Sequence, residues 1–143
     1  MRRNISRLKA MIRLYETDLL KTDENIDIFD ELLKEYSDTN IDYDKKFSDE
    51  LYEGVRNNLS KIDKAIAISL DNYPLDRVSY VDRALLRIGT YELIYTDTPT
   101  PIIINEIVNL SKDYSEVNKL SSSKFNNGVL DKISKTYRDN GSK

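Results

Sequence analysis

Hydrophobic residues recur along most of this chain at steps of three and four positions. In the first segment the recurring residues fall on one face of an amphipathic helix, and they are Ile5, Leu8, Ile12, Tyr15 and Leu19. The same spacing predicts further helices at residues 26–36, 44–70, 80–95, 101–114 and 121–137. No segment shows the sustained alternation typical of strands. The pattern therefore predicts an all-α fold of six or seven helices, in a single domain over residues 1–143.

Several polar residues predict where these helices begin and break. Residues 44–70 form either one bent helix or two, with the break expected at Asn57-Asn58 and Ser60. Ser79, with Asp82 three positions later, has the spacing of a capping box. Thr100 can cap the following helix, whose first position suits Pro101 because no backbone N–H is needed there. Serines 121–123 are expected to cap the last helix.

The last helix contains two unusual residues. Asn126 lies on the same stripe as Leu130 and Ile133, which puts a polar amide against the core. Gly128 costs about 1 kcal/mol relative to alanine inside a helix. We therefore expect Gly128 to allow close packing against a neighbouring element.

The composition argues against several classes of function. The chain has no cysteine and no histidine, which removes thiol nucleophiles, cysteine-based zinc sites and any histidine general base. No glycine-rich phosphate loop and no set of residues with metal-ligand spacing occurs. We expect neither an enzyme nor a bound metal or cofactor. Without an apolar run of membrane-spanning length or a secretory signal, the expected location is the cytoplasm.

Charge is unevenly distributed along the sequence. Residues 1–15 carry five basic residues and no acid, whereas residues 16–53 carry 14 acids against four bases. The last 27 residues carry six bases against two acids. Basic ends of this kind favour binding to nucleic acid. Solvated termini without a ligand explain the same charges equally well.

Individual residues suggest more specific roles. Arg87 lies among leucines and isoleucine, so it needs a partner, and Glu92 and Glu106 are the candidates. Asp82, near a helix start, is freer to be a surface contact. Phe125 beside Lys124 is either a core residue or, if exposed, a platform on which an unpaired base could stack.

Three stretches of this sequence, taken together, resemble the NusB family of bacterial transcription antitermination factors. They are residues 82–93 (DRALLRIGTYEL), residues 101–108 (PIIINEIV) followed by Lys112, and residues 124–131 (KFNNGVLD). The start of the chain, from Arg2-Arg3 to Leu14-Tyr15, is similar to the basic first helix of that family. The resemblance covers nearly the whole chain and is weakest over residues 20–60.

The resemblance implies a fold of two small three-helix bundles packed together. It also implies binding to single-stranded boxA RNA, a heterodimer with ribosomal protein NusE, and assembly of an antitermination complex on RNA polymerase, notably on ribosomal RNA operons. No cofactor or catalysis is implied. The RNA-binding residues carried over are Arg2, Arg3, Arg7, Ser121, Ser122, Lys124 and Phe125, and those for NusE are Tyr15 and Asp82. This assignment requires the first arginines to lie beside the start of the last helix.

Some positions depart from the family pattern. Ser121 stands where the family often has an acid, Ser123 where it often has histidine, and Asn126 where it usually has an apolar residue. The competing interpretation is a helical protein-interaction scaffold or homodimer with minor RNA contact.

Overall fold

A computed structural model describes residues 3–20, 43–71, 73–115 and 118–139. Within these ranges the chain forms six α-helices and no strand: α1 (Arg3–Leu20), α2 (Lys45–Asn57), α3 (Leu59–Ser69), α4 (Tyr80–Tyr95), α5 (Thr100–Tyr114) and α6 (Lys119–Ser134). A short 3-10 turn (Leu75–Arg77) precedes α4, and a π-helical turn (Lys135–Asp139) extends α6. The all-α prediction is confirmed. The helix predicted at residues 26–36 lies outside the described residues.

The helix boundaries agree with some of the predicted caps and correct others. Asn58 separates α2 from α3, as expected, and its side chain donates to the carbonyl oxygen of Gly54 at 2.8 Å. Ser79 accepts from the backbone N–H of Asp82. The prediction that serines cap the last helix is wrong, because α6 begins earlier and Asn118 is its cap. Thr100 is not a cap either, since it lies inside α5 after Pro99.

Helix α4 forms the centre of the fold. It buries 12 of its 16 residues, and α1, α2, α3, α5 and α6 all pack against it. Helix α1 runs antiparallel to α4, because Arg7 meets Glu92 at one end and Tyr15 meets Tyr80 at the other. Helix α6 runs parallel to α4, with Asn126 bonded to Asp82 at its start. These directions determine which side chains can meet at each end of the molecule.

Close helix packing occurs at Gly89 and not at Gly128. A methyl group added to Gly89 would lie 2.9 Å from a methyl carbon of Leu130, so α4 and α6 approach closely at this point. At Gly128 the same addition would meet nothing within 4 Å, and the residue is exposed. The expectation that Gly128 permits close packing is therefore wrong.

Arg87 is paired, but not with the predicted residues. Its guanidinium donates to both carboxylate oxygens of Asp63 at 2.8 and 2.9 Å and to Asp18 at 2.7 Å. Burial by itself lowers the pKa of Arg87, but the two carboxylates outweigh this effect and raise it. The pairing ties α4 to α3 and α1. Glu92 and Glu106, the predicted partners, bond Arg7 instead.

Arg138 forms hydrogen bonds to the C-terminal end of α4. Its guanidinium donates to the carbonyl oxygens of Glu92, Leu93, Thr96 and Thr98 at 3.0, 2.8, 2.6 and 2.5 Å. These carbonyls belong to the last turn of α4 and the segment after it, where intrahelical partners run out. Arg138, counted in the sequence as part of a basic end, is thus committed to an internal contact.

Candidate nucleic-acid interface

A cavity of about 340 Å³ opens beside the first turns of α6. Phe125 is half-buried there, and its ring makes an edge-to-face contact with the exposed ring of Tyr73, with 5.8 Å between centroids. The residues around the cavity come from the segment before α4, from the first turn of α4 and from α6, and they are Tyr73, Arg77, Val78, Ser79, Asp82, Ser121, Ser122 and Phe125. We call this space the Phe125 cavity.

Two exposed cations are associated with the Phe125 cavity: Arg77 lines it, and Lys124 directly precedes Phe125 in α6. In the described part of the chain neither forms an ion pair. Ser121 is also exposed, but its backbone N–H already donates to Asn118 at 3.0 Å. The backbone N–H of Ser122 donates to the carbonyl of the same asparagine. The start of α6 therefore offers side-chain cations to a phosphate more readily than backbone N–H groups.

Asp82 lies at the base of the cavity and is 4% exposed, so the expectation of a freely accessible surface carboxylate is wrong. Its Oδ1 accepts from the amide nitrogen of Asn126 at 3.2 Å, and its Oδ2 accepts from the hydroxyl of Ser115 at 3.3 Å. The physical reason is packing: α5 and α6 both cover this turn of α4. Ser122, predicted to contact RNA, is buried as well and accepts from Ser115 at 2.8 Å.

Asn126 confirms the polar amide that the hydrophobic stripe predicted against the core. It is fully buried, and its Nδ2 also donates to Ser111 at 2.8 Å. Its Oδ1 is buried without a hydrogen-bond partner among the described residues. The amide orientation is fixed by Asp82, since the reverse orientation would set two oxygens against each other. We call Asp82, Ser111, Ser115, Ser122 and Asn126 the buried polar cluster.

Arg7 is not available as a surface ligand. It is 2% exposed, and its guanidinium donates to both oxygens of Glu92 at 2.7 Å, with Glu106 at 3.5 Å. Glu92 is fully buried, so removing Arg7 would leave the buried carboxylate of Glu92 without its cationic partner. The prediction that Arg7 belongs to an exposed basic face is therefore corrected.

The other basic residues at the start of the chain differ in exposure. Lys9 is buried and donates to the hydroxyl of Tyr43, and Arg13 pairs with Asp49 at 2.9 Å. Arg3 is exposed, with its guanidinium 4.2 Å from the centre of the Phe47 ring. Arg2 lies outside the described residues. Most of the basic side chains of α1 thus bond to other residues of the fold. Among the basic residues described in this segment, Arg3 is the exposed one.

The two predicted RNA-binding ends contact different parts of α4. Arg7 contacts Glu92 near the end of α4, whereas Asn126 and the Phe125 cavity contact Asp82 near its start. Ten residues of helix separate these two points, about 15 Å at 1.5 Å per residue. Because α1 is antiparallel and α6 parallel to α4, the start of α1 and the start of α6 lie towards different ends of α4, and a single cationic face that joins them stays a prediction.

Tyr15 lies at the cavity end of α4. It is half-buried and makes an edge-to-face contact with Tyr80 at 6.3 Å between centroids. Of the two residues predicted to bind a protein partner, Tyr15 keeps some accessible surface and Asp82 very little.

Sequence reasoning missed one wall of the cavity. Tyr73, Arg77 and Val78 come from the segment between α3 and α4, which shows no helical periodicity. The available signal was an aromatic and a basic residue on either side of Pro74, directly before the cap of the most apolar helix. Nothing in the linear pattern indicates that this segment faces the start of α6.

The residues that the structure describes contain neither a membrane-spanning helix nor a metal-ligand cluster. No helix among them is both long and apolar enough to cross a bilayer. No group of three or more aspartate or glutamate side chains among them is arranged to hold a metal ion.

Comparison with known proteins supports the resemblance found in the sequence. The model of the NusB family matches residues 4–135. A transcription antitermination protein NusB from Fervidobacterium nodosum is 38% identical over 130 residues, covering 90% of this chain and 88% of the relative. The structure of T. maritima NusB superposes with a TM-score of 0.74 at 34% identity, covering 96% of this chain and 93% of that one. A structure of antitermination factors NusB and NusE in complex with dsRNA superposes with a TM-score of 0.73 at 32% sequence identity, covering 94% of this chain and 97% of that one.

Proposed function

Because the chain belongs to the NusB family, we propose that it is a transcription antitermination factor that binds RNA together with NusE. The observation that carries the proposal at residue level is the Phe125 cavity, where a half-buried aromatic ring lies beside exposed Lys124 and Arg77. A ring next to cations suits an unpaired base and its phosphates. The protein acts by binding, and its residues need carry out no catalysis.

Two separate contacts would hold the RNA. Phe125 stacks on one base, and Lys124, with Ser121 beside it, takes the adjoining phosphate. Towards the other end of α4, where Arg7 of the same helix as Arg3 contacts Glu92, exposed Arg3 makes a second phosphate contact, to which Arg2 would add. Arg7 contributes indirectly, by fixing the end of α1 against Glu92. A single strand several nucleotides long would span both contacts, which favours an extended RNA over a compact one.

The finer expectations belong to the same proposal. The RNA is a single-stranded boxA element, the setting is the ribosomal RNA operons, and the complex assembles on RNA polymerase in the cytoplasm. NusE would use the accessible part of Tyr15 and its neighbour Tyr80, while Asp82 supports that end of α4 from within. A second protein at the cavity end would add contacts and order the RNA site, so the two ligands should strengthen each other's binding.

The test is fluorescence anisotropy with labelled boxA-like RNA and a scrambled strand of the same composition, with and without NusE. We expect tighter binding of the boxA-like strand, and a larger preference when NusE is present. Equal binding of both strands in both conditions would contradict the proposal. Binding of NusE, combined with no preference for the boxA-like strand in either condition, would support the alternative of a protein-interaction scaffold.

A further inference from the structure

The carboxylate of Asp82 carries spare hydrogen-bonding capacity into the Phe125 cavity. An ionised carboxylate can accept about four hydrogen bonds. The structure supplies two, at 3.2 and 3.3 Å, both longer than the 2.7–2.9 Å typical of bonds to a charged group. The bond from Ser115 is also shared, because that hydroxyl donates to Ser122 at the shorter distance of 2.8 Å.

No described residue forms an ion pair with this carboxylate, although Arg77 lines the same cavity. The side chain of Asp82 is 4% exposed. Both of its partners are neutral, and the one on α6 is held rigidly because Asn126 also donates to Ser111. A buried carboxylate in this state is stabilised by any further donor that enters the cavity.

The size and the lining of the Phe125 cavity determine which kind of ligand fits it. Its volume of about 340 Å³ equals that of about ten water molecules in the liquid, and the Phe125 and Tyr73 rings line it. A phosphate is a poor occupant, because its charge would be set against Asp82. A flat aromatic group that carries a hydrogen-bond donor satisfies both the rings and the carboxylate.

On this basis, and resting on the RNA-binding function proposed above, we propose that the cavity binds one unpaired RNA base through its exocyclic amino group and discriminates against uracil. The base stacks on Phe125, and its amino group donates to Asp82. Carboxylates read the N4 amino group of cytosine in this way, whereas the corresponding position of uracil is a carbonyl, which would be repelled. Asn126 is the positioning residue, since it fixes the orientation of Asp82 without reaching the ligand.

Cytidine and uridine provide a matched pair, because they differ in the amino or carbonyl group at position 4. The probes are a ten-nucleotide strand of uridine and the same strand with a single cytidine at its centre, each measured by anisotropy with the full chain. We expect the cytidine strand to bind at least about fivefold more tightly. Asp82→Asn should remove this ratio, because an amide can donate to the uracil carbonyl. Lys124→Ala is the control, and it should weaken both strands equally and preserve the ratio.

The outcomes separate this inference from the proposed function. Equal affinities for the two strands, tighter binding of uridine, or a ratio unchanged in a folded Asp82→Asn protein would each overturn the base preference while leaving RNA binding intact. Failure of the chain to bind either strand, alone or with NusE, would instead overturn the RNA-binding function. If Asp82→Asn does not fold, the wild-type chain is measured with a third strand whose central base is pyrimidin-2-one, which lacks the 4-amino group of cytosine. Binding of that strand as tight as that of the cytidine strand overturns the inference.

Discussion

The start of α1 and the start of α6 are both rich in basic residues, yet they use their charge in opposite ways. At α1 the guanidinium of Arg7 is buried in a two-pronged contact with Glu92, and Lys9 and Arg13 are also bonded internally. At α6, Lys124 is exposed beside the half-buried ring of Phe125. A cluster of basic residues therefore predicts a ligand-binding surface only where those residues lack acidic partners inside the fold.

Arg7→Ala gives the largest expected effect, and it acts on stability. Losing the guanidinium leaves the buried carboxylate of Glu92 unpaired, so the free energy of unfolding should fall by about 3–5 kcal/mol. Urea denaturation followed by circular dichroism measures this. Arg3→Ala, four residues earlier and exposed, is the matched control and should change stability little. An Arg7→Ala protein that is as stable as wild type but binds RNA weakly would reverse our interpretation of α1.

Phe125→Ala should act mainly on RNA binding. Losing the ring removes one stacked base, which lowers the affinity by about 1–3 kcal/mol. Because the ring is half-buried and packs against the core, some stability should be lost too, so binding must be measured well below the melting temperature. Leu120→Ala, on the same helix and 61% exposed, is the control. Unchanged affinity in a folded Phe125→Ala protein would make Phe125 a packing residue.

The salt dependence of binding compares the two ends directly. Arg3→Ala and Lys124→Ala should each lower the slope of log K against log salt by roughly 0.7, the value for one phosphate contact on a single strand. The double variant should lose about twice as much, because the two contacts are far apart. Lys132→Ala serves as the control, since Lys132 lies further along α6 than Lys124 and is paired with Asp71. A slope that changes at only one end would restrict the RNA to that end.

Gly128→Ala has the smallest expected effect and opposite sign. The position is exposed and helical, with nothing near an added methyl group, so stability should rise by up to about 1 kcal/mol. Gly89→Ala is the paired variant, and it should lower stability because Leu130 has to move. Thermal melting distinguishes the two. If Gly128→Ala weakens RNA binding while stabilising the fold, the RNA extends further along α6 than proposed.

The sequence predicted the helices and the polar amide of Asn126 because both follow from spacing along one chain. It could not predict which helix faces which. Arg87 was expected to need a partner, and it has one, but Asp18 and Asp63 lie on other helices that no periodicity identifies. The burial of Arg7 and Asp82 was missed for the same reason.

Gly128 is a different case, because the helical spacing of the sequence by itself indicates that this residue faces away from the core. Two steps of helix turn the chain by about 200°, so a residue two positions after the buried Asn126 points away from the core. Glycine is costly in this helix, and Gly128 lies on its exposed face, where no packing contact compensates the cost. Position on the helical stripe should be weighed before an unusual residue is assigned a packing role.

The clamp made by Arg138 has a consequence for how this protein matures on the ribosome. Arg138 follows Thr96, one of the residues whose carbonyl it holds, by 42 positions in the chain. At a synthesis rate of about 5–20 residues per second, the end of the central helix is therefore synthesised about 2–8 seconds before the side chain that binds it. During that interval the nascent polypeptide lacks the donor for these carbonyls, so this end of the helix can reach its native contacts only after Arg138 has been added.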